Sequence, residues 1–163
     1  MGRAYLSLGS NVEPARHLRA AIAALRERFG EVVVSPVYRT AAVGFAGDDF
    51  LNAAAVLESD LGPHALNDWL HALEDAHGRE RGGPRFGPRT LDLDLVFYDD
   101  LTLDGPGNLQ IPRAELRHAF VLKPLADIAP DYVHPRLGRP LAALWAASGM
   151  SIGEVVDLAS TSA

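Results

Sequence analysis

The stretch Gly78-Arg79-Glu80-Arg81-Gly82-Gly83-Pro84-Arg85-Phe86-Gly87-Pro88-Arg89 runs directly into Thr90-Leu91-Asp92-Leu93-Asp94-Leu95-Val96-Phe97-Tyr98. Three glycines and two prolines between positions 82 and 88 break helix and strand alike, so the first half is a loop. The second half alternates Leu with Asp and closes on Val-Phe-Tyr, the pattern of a strand. Side chains two apart share a strand face, so Asp92 and Asp94 point one way and Leu91, Leu93 and Leu95 the other. The leucines can enter a core while two carboxylates, about 7 Å apart at Cα, converge on a solvent-side cleft. That spacing suits a pair of Mg²⁺ ions about 3.5–4 Å apart on a polyphosphate. Arg79, Arg81, Arg85 and Arg89 supply guanidinium forks for phosphate oxygens. The plain alternative is an exposed polar strand face with solvated arginines. The Gly/Pro-built loop leading straight into Asp-x-Asp favours a site.

Upstream, Arg3-Ala4-Tyr5-Leu6-Ser7-Leu8 reads as a strand that stops at Gly9-Ser10-Asn11, a strand-to-helix turn. A helix follows, capped by Asn11 or Glu13, with Pro14 in its first turn and Gly30 at its end. Its apolar stripe is Leu18, Ala21, Ile22, Leu25 and Phe29. Residues 31–38 form a second strand, 39–49 a loop and 50–57 a third strand. Phe50 and Asn52 share a face of that third strand, so an aromatic plane neighbours an amide, a pairing that suits a flat heterocycle. A half-buried Phe beside an edge-strand Asn is the structural alternative.

Gly62-Pro63 opens a second helix with Leu66, Trp69, Leu70, Leu73 and Ala76 as its buried stripe. His71 and Glu74, three apart, share a face that reads as a solvated helix edge. Two such residues alone make a poor metal site. After Tyr98 come short strands and turns over 99–105 and 109–112, then one helical turn over 113–118. Residues 119–125 receive no assignment, proline-punctuated loops span 128–135, and a short helix spans 140–147. The stretch 151–163 carries no motif, and its last four residues are expected to be loose.

The order strand, helix, strand, strand, helix, strand is the split-βαβ, ferredoxin-like arrangement. It predicts an α+β fold with an antiparallel or mixed sheet and both long helices on one face. At 163 residues the chain is read as a single domain, 1–163. A net charge of −6 argues against a general nucleic-acid binder. The absence of cysteine excludes disulfides, thiolate metal sites and a thiol nucleophile. No signal peptide or membrane span is legible, so the expectation is a cytoplasmic protein, working as a monomer without a membrane or nucleic-acid partner.

Through Arg85-Phe86-Gly87-Pro88-Arg89-Thr90-Leu91-Asp92-Leu93-Asp94-Leu95-Val96 the chain resembles the 6-hydroxymethyl-7,8-dihydropterin pyrophosphokinases of the folate pathway. Leu8-Gly9-Ser10-Asn11 is also similar to that family, and the resemblance covers most of positions 3 to 135. It implies transfer of the βγ-pyrophosphoryl group of ATP to the hydroxymethyl oxygen of a reduced pterin, releasing AMP. It also implies two Mg²⁺ ions on Asp92 and Asp94, with Arg79 and Arg89 neutralising phosphate charge. Phe50 and Phe120 would enclose the pterin, Asn52 would hydrogen-bond it, and Thr40 and Val43 would border its edge. His71, Glu74, Arg81, Arg85, Arg113 and Arg117 would face the nucleotide. There is no Gly-x-x-x-x-Gly-Lys-Ser/Thr in the chain, so a P-loop is excluded.

Three positions depart from the family pattern. Phe86 stands where the family often has Trp, and Arg113 where a His frequently follows the proline. His118 precedes Ala119-Phe120 where an Arg is common, with Arg117 one place earlier. Either Arg113, Arg117 or His118 could take over the nucleotide-side role. Two other readings remain open: another Mg²⁺-dependent nucleotidyl or phosphoryl transferase, and a non-catalytic ligand-binding module on the same fold.

Overall fold

The computed structural model describes residues 1–40, 49–78, 91–104 and 109–158. In chain order these form β1 (Gly2–Ser10), α1 (Pro14–Phe29), β2 (Val32–Val34), β3 (Val37–Thr40), β4 (Phe50–Ser59) and α2 (Pro63–Ala76). Then come β5 (Asp92–Tyr98), β6 (Leu103–Asp104), β7 (Gln110–Ile111), a 3₁₀ turn (Ala114–Arg117), α3 (Ala119–Ile128), α4 (Leu141–Ser148) and β8 (Val155–Val156). The main sheet has the order β5-β1-β4-β3-β8, with β2 also paired to β4, and each of these pairings is antiparallel. The protein is therefore α+β, and β6 and β7 form a separate small ribbon.

Both faces of the sheet are covered, which is why β4 lacks a polar-apolar alternation. Its Ala53, Ala54 and Ala55 are all fully buried, and such small side chains let helices approach from either side. On one face Leu6, Leu8, Leu51, Leu93 and Leu95 meet Leu18 and Leu25 of α1 and Leu66 and Leu70 of α2. The two long helices thus share a face, as their apolar stripes require. On the other face Tyr5, Val56 and Phe97 pack against Val121, Leu122 and Leu125 of α3 and Leu141 of α4. Each such side chain contributes about 1.5–3 kcal/mol through burial.

Strand β5 changes faces part-way along. Leu6 pairs with Leu95 but Tyr5 pairs with Phe97, so Val96 is an extra residue in the ladder. This β-bulge puts Phe97 in the α3 core although Leu93 and Leu95, at the same spacing, lie in the α1/α2 core.

Several sequence expectations are corrected. The strand over 31–38 divides at Ser35-Pro36, where proline has no N–H for a ladder. Ser35 replaces the lost regularity, donating its N–H to the Ala54 carbonyl at 2.9 Å and accepting the Ala54 N–H on Oγ at 2.8 Å. Glu13 stands at the N-cap of α1 with φ 43°, but no side chain caps the helix. Its carboxylate pairs with Arg16 at 3.0 Å instead. Gly9 and Ser10 belong to β1 rather than to a turn. Residues 119–128 are a full helix despite Pro124, because the buried face of Val121, Leu122 and Leu125 outweighs one missing backbone bond. The 151–163 stretch, read as featureless, adds β8 to the edge of β3; residues 159–163 lie outside the described part. Among the described residues no helix is long and apolar enough to cross a membrane.

Candidate functional site

Helices α3 and α4 pack on their sheet face around Tyr5, Val56 and Phe97. Further along the same face the register sets out a row of partners across four strands: Asp92 opposite Gly9, Gly9 opposite Asn52, and Asn52 opposite Tyr38. The adjacent row holds Asp94, Ser7 and Ala54, and on the other side Thr40 faces Phe50. Directly paired residues lie on the same face, so the two carboxylates expected on one face of β5 share it with Phe50, Asn52 and Thr40. Strand spacing sets Asp92 and Asn52, two strands apart, at about 10 Å between Cα atoms.

Gly9 makes that span passable. A Cβ at this position would lie 2.9 Å from Asn52 Oδ1, so glycine leaves room for the amide beside β1. Glycine inside a strand is a recognised sign of such close approach, and the sequence held that signal. Asn52 is buried, and its Nδ2 donates to Thr40 Oγ1 at 2.6 Å, which fixes the direction of the amide. Phe50 is half-buried at the start of β4.

Phe120, in the first turn of α3, stacks on the His118 imidazole at 4.9 Å between centroids and 12° between planes. One face of the phenyl ring is thus backed by protein. Phe120 and Thr40 also line an open cleft of about 380 Å³, together with residues 151–153. Burial, with Arg117 beside it, holds the His118 pKa below its ordinary value.

Strand β5 is at the sheet edge, and side chains occupy its free backbone groups. Glu74, only 2% exposed, accepts the Leu93 N–H on Oε2 at 2.7 Å. This corrects the reading of Glu74 as part of a solvated helix edge. The C-terminal part of α2 packs against β5, and a buried carboxylate there needs a donor. His71, three residues earlier, is half-buried. Arg113 follows the cis Ile111–Pro112 peptide and donates its backbone N–H to the Val96 carbonyl at 3.3 Å. Its Nε donates to the Leu95 carbonyl at 3.3 Å, and its Nη2 lies 3.5 Å from Asp94 Oδ1. Arg113 is therefore no solvated surface residue; its side chain is 16% exposed, against 29% for Asp94. Arg117 is exposed at the end of the 3₁₀ turn.

The acid pair carries a strained charge. The Asp94 carboxyl is pushed up to about 7, first by burial and then by the neighbouring Asp92 carboxylate. Arg113 opposes this, while Glu74 and Glu115 reinforce it. Glu115 had no role in the sequence reading, because only the fold brings it near Asp94. Val43, Arg79, Arg81, Arg85 and Arg89 lie outside the described residues.

Two adjacent carboxylates with an excess of negative charge fit magnesium, a hard cation that takes oxygen ligands. Among the described residues no cluster of three or more acidic or histidine side chains could hold a metal alone. Magnesium bound through one or two carboxylates plus substrate phosphates needs no such cluster.

A family model described as 7,8-dihydro-6-hydroxymethylpterin-pyrophosphokinase (HPPK) matches residues 5–130. The chain is 44% identical over 151 residues to a 2-amino-4-hydroxy-6-hydroxymethyldihydropteridine pyrophosphokinase of Pseudomonas aeruginosa, covering 89% of this chain and 91% of that protein. A protein of the same name from Synechocystis is 41% identical over 145 residues, covering 86% of this chain and 73% of that one. Among solved structures, the wild-type HPPK-DHPS of Plasmodium falciparum with pteroate superposes with a TM-score of 0.71 at 14% identity. That match covers 89% of this chain and 42% of the longer one, and at such identity it speaks for the fold alone.

Proposed function

Since the chain belongs to the 7,8-dihydro-6-hydroxymethylpterin-pyrophosphokinase family, we propose that the row running from Asp92 across Gly9 to Asn52 is where the family's reaction takes place. The protein is an enzyme of folate biosynthesis that transfers pyrophosphate from ATP to 6-hydroxymethyl-7,8-dihydropterin. The hydroxymethyl oxygen bonds to the β-phosphorus, the bond from that phosphorus to the AMP oxygen breaks, and the hydroxyl proton is released. The order β5-β1-β4-β3 with two helices on one face supports reading the core as a ferredoxin-like split βαβ. We place the reaction in the cytoplasm and read the chain as a monomer whose partners are its two substrates.

One observation carries the site assignment: the acid pair and the Asn52 amide share one sheet face across Gly9. The amide, held by Thr40, meets the donor and acceptor edge of the pterin. Phe50 and Phe120 enclose its ring, with Val43 at its border. Asp92 and Asp94 would hold two magnesium ions. When bound, magnesium supplies charge neutralisation at the phosphates and polarises the attacking oxygen. Arg79 and Arg89 meet the developing phosphate charge, and His71, Arg81, Arg85, Arg113 and Arg117 contact the nucleotide. Glu74 serves the nucleotide side by bracing β5 beneath it. The chain's work is positioning and electrostatics rather than covalent catalysis.

The test is a product assay with ATP, Mg²⁺ and the hydroxymethyl pterin. AMP and pterin diphosphate should form in equal amounts. ADP would point to a different phosphoryl transferase, and pterin binding without turnover to a non-catalytic module.

A further inference from the structure

Residues 151–156 lie beyond the segment that the family model matches. They nevertheless abut the strand end that presents Thr40. Val155 and Val156 pair with Tyr38 and Val37, and the Arg39 N–H donates to the Glu154 carbonyl at 2.9 Å. The Arg39 guanidinium reaches Glu154 Oε1 at 3.1 Å. At Gly153 the two segments touch: a Cβ there would lie 1.7 Å from the Arg39 carbonyl oxygen and 2.9 Å from its carbon. Only glycine fits this contact, because the obstacle is backbone and cannot rotate away.

We propose that 151–154 is a working wall of the pterin cleft, with Gly153 as a positioning residue for Thr40 and Asn52, and Ile152 as a ligand-facing contact. This rests on the reading of Thr40, Asn52 and Phe120 as pterin contacts. Thr40 is held on one side by its pairing with Phe50, and the Arg39–Thr40 peptide is held on the other by Gly153. Its hydroxyl in turn orients the Asn52 amide. A side chain at 153 drives the Arg39–Thr40 peptide away, shifts that hydroxyl and releases the amide to rotate. Ser151 and Ile152 line the same cleft as Phe120 and Thr40, so part of its lining comes from a segment distant in sequence from β5.

The test compares Gly153→Ala, Ile152→Ala and Phe120→Ala in the full chain by steady-state kinetics for both substrates and by thermal melting. Gly153→Ala should raise the pterin KM about tenfold, the scale of one lost hydrogen bond, with the ATP KM unchanged. Ile152→Ala, which keeps the backbone contact and so serves if Gly153→Ala does not fold, should raise the pterin KM about threefold at an unchanged melting temperature. Normal pterin KM in both while Phe120→Ala raises it would overturn the wall and leave the pterin site standing. A uniform loss of kcat with both KM values moved alike would reduce Gly153 to a folding role and also overturn it. No effect from Phe120→Ala either would remove the pterin-site reading and this proposal together.

Discussion

Arg113 Nη2 lies 3.5 Å from Asp94 Oδ1 while its Nε is held by the Leu95 carbonyl at 3.3 Å. The guanidinium is thereby locked to the strand whose carboxylate it neutralises, beside the extra residue Val96 that bends that strand. A histidine could not span both contacts with a charge that persists above neutral pH. Arg113→Ala should weaken nucleotide binding or turnover by roughly 1–3 kcal/mol, the scale of a hydrogen bond to a charged group. Arg113→His should recover part of that loss at about pH 6 and less at about pH 8, where imidazole is neutral. Wild-type kinetics for Arg113→Ala across that range would show that the contact has no part in the reaction.

Asp94 imposes a pH dependence on the ligand-free fold. Its pKa is about 7 in the folded protein, against about 3.9 in an unfolded chain. Between those values the folded state holds a proton that the unfolded state has released, so raising the pH through the window favours unfolding. Wild type should therefore lose stability relative to Asp94→Asn as the pH rises from about 4 to about 8. Thermal melts of the two proteins without ligand measure this, and a pH-independent gap between them would refute it.

Glu74 separates charge from hydrogen bonding. Glu74→Ala leaves the buried Leu93 N–H without an acceptor and should cost about 1–3 kcal/mol in denaturant unfolding. Glu74→Gln keeps an acceptor oxygen and should cost less. It also removes a negative charge that raises the Asp94 pKa, which should fall. A carboxyl titration followed by NMR reads this shift directly.

In the proposed pterin site, the stack of Phe120 on His118 makes the ring contact depend on a residue behind it. Phe120→Ala should cost on the order of 1–3 kcal/mol in pterin binding, the scale for stacking a base on an aromatic ring. His118→Ala, which leaves the phenyl ring unsupported, should cost about 0.5–1.5 kcal/mol. Lower melting temperatures with unchanged affinity would make both residues structural only.

The Leu-Asp alternation made β5 and its carboxylate face legible in advance, because period-two patterning needs no knowledge of neighbours. The same rule predicted that Phe50 and Asn52 share a face. It missed the bulge at Val96, which arises from pairing with β1 and has no local signature. Pro124 hid α3, since a proline reads as a stop while the decisive apolar contacts are tertiary. The burial of Glu74 and the reach of Arg113 to Asp94 depend on where α2 and the 3₁₀ turn meet the sheet edge. Gly9 was misread as a turn residue because its requirement comes from Asn52, a residue more than forty positions away.

The assignment of Asp92 and Asp94 as the metal-bearing pair meets its most direct test in Mn²⁺ binding, followed by electron paramagnetic resonance with a non-hydrolysable ATP analogue present. Wild type should bind a pair of ions per chain. Asp92→Asn and Asp94→Asn should each bind fewer and lose turnover by orders of magnitude, while remaining folded and still binding pterin. Wild-type Mn²⁺ stoichiometry and affinity in both variants would contradict the assignment.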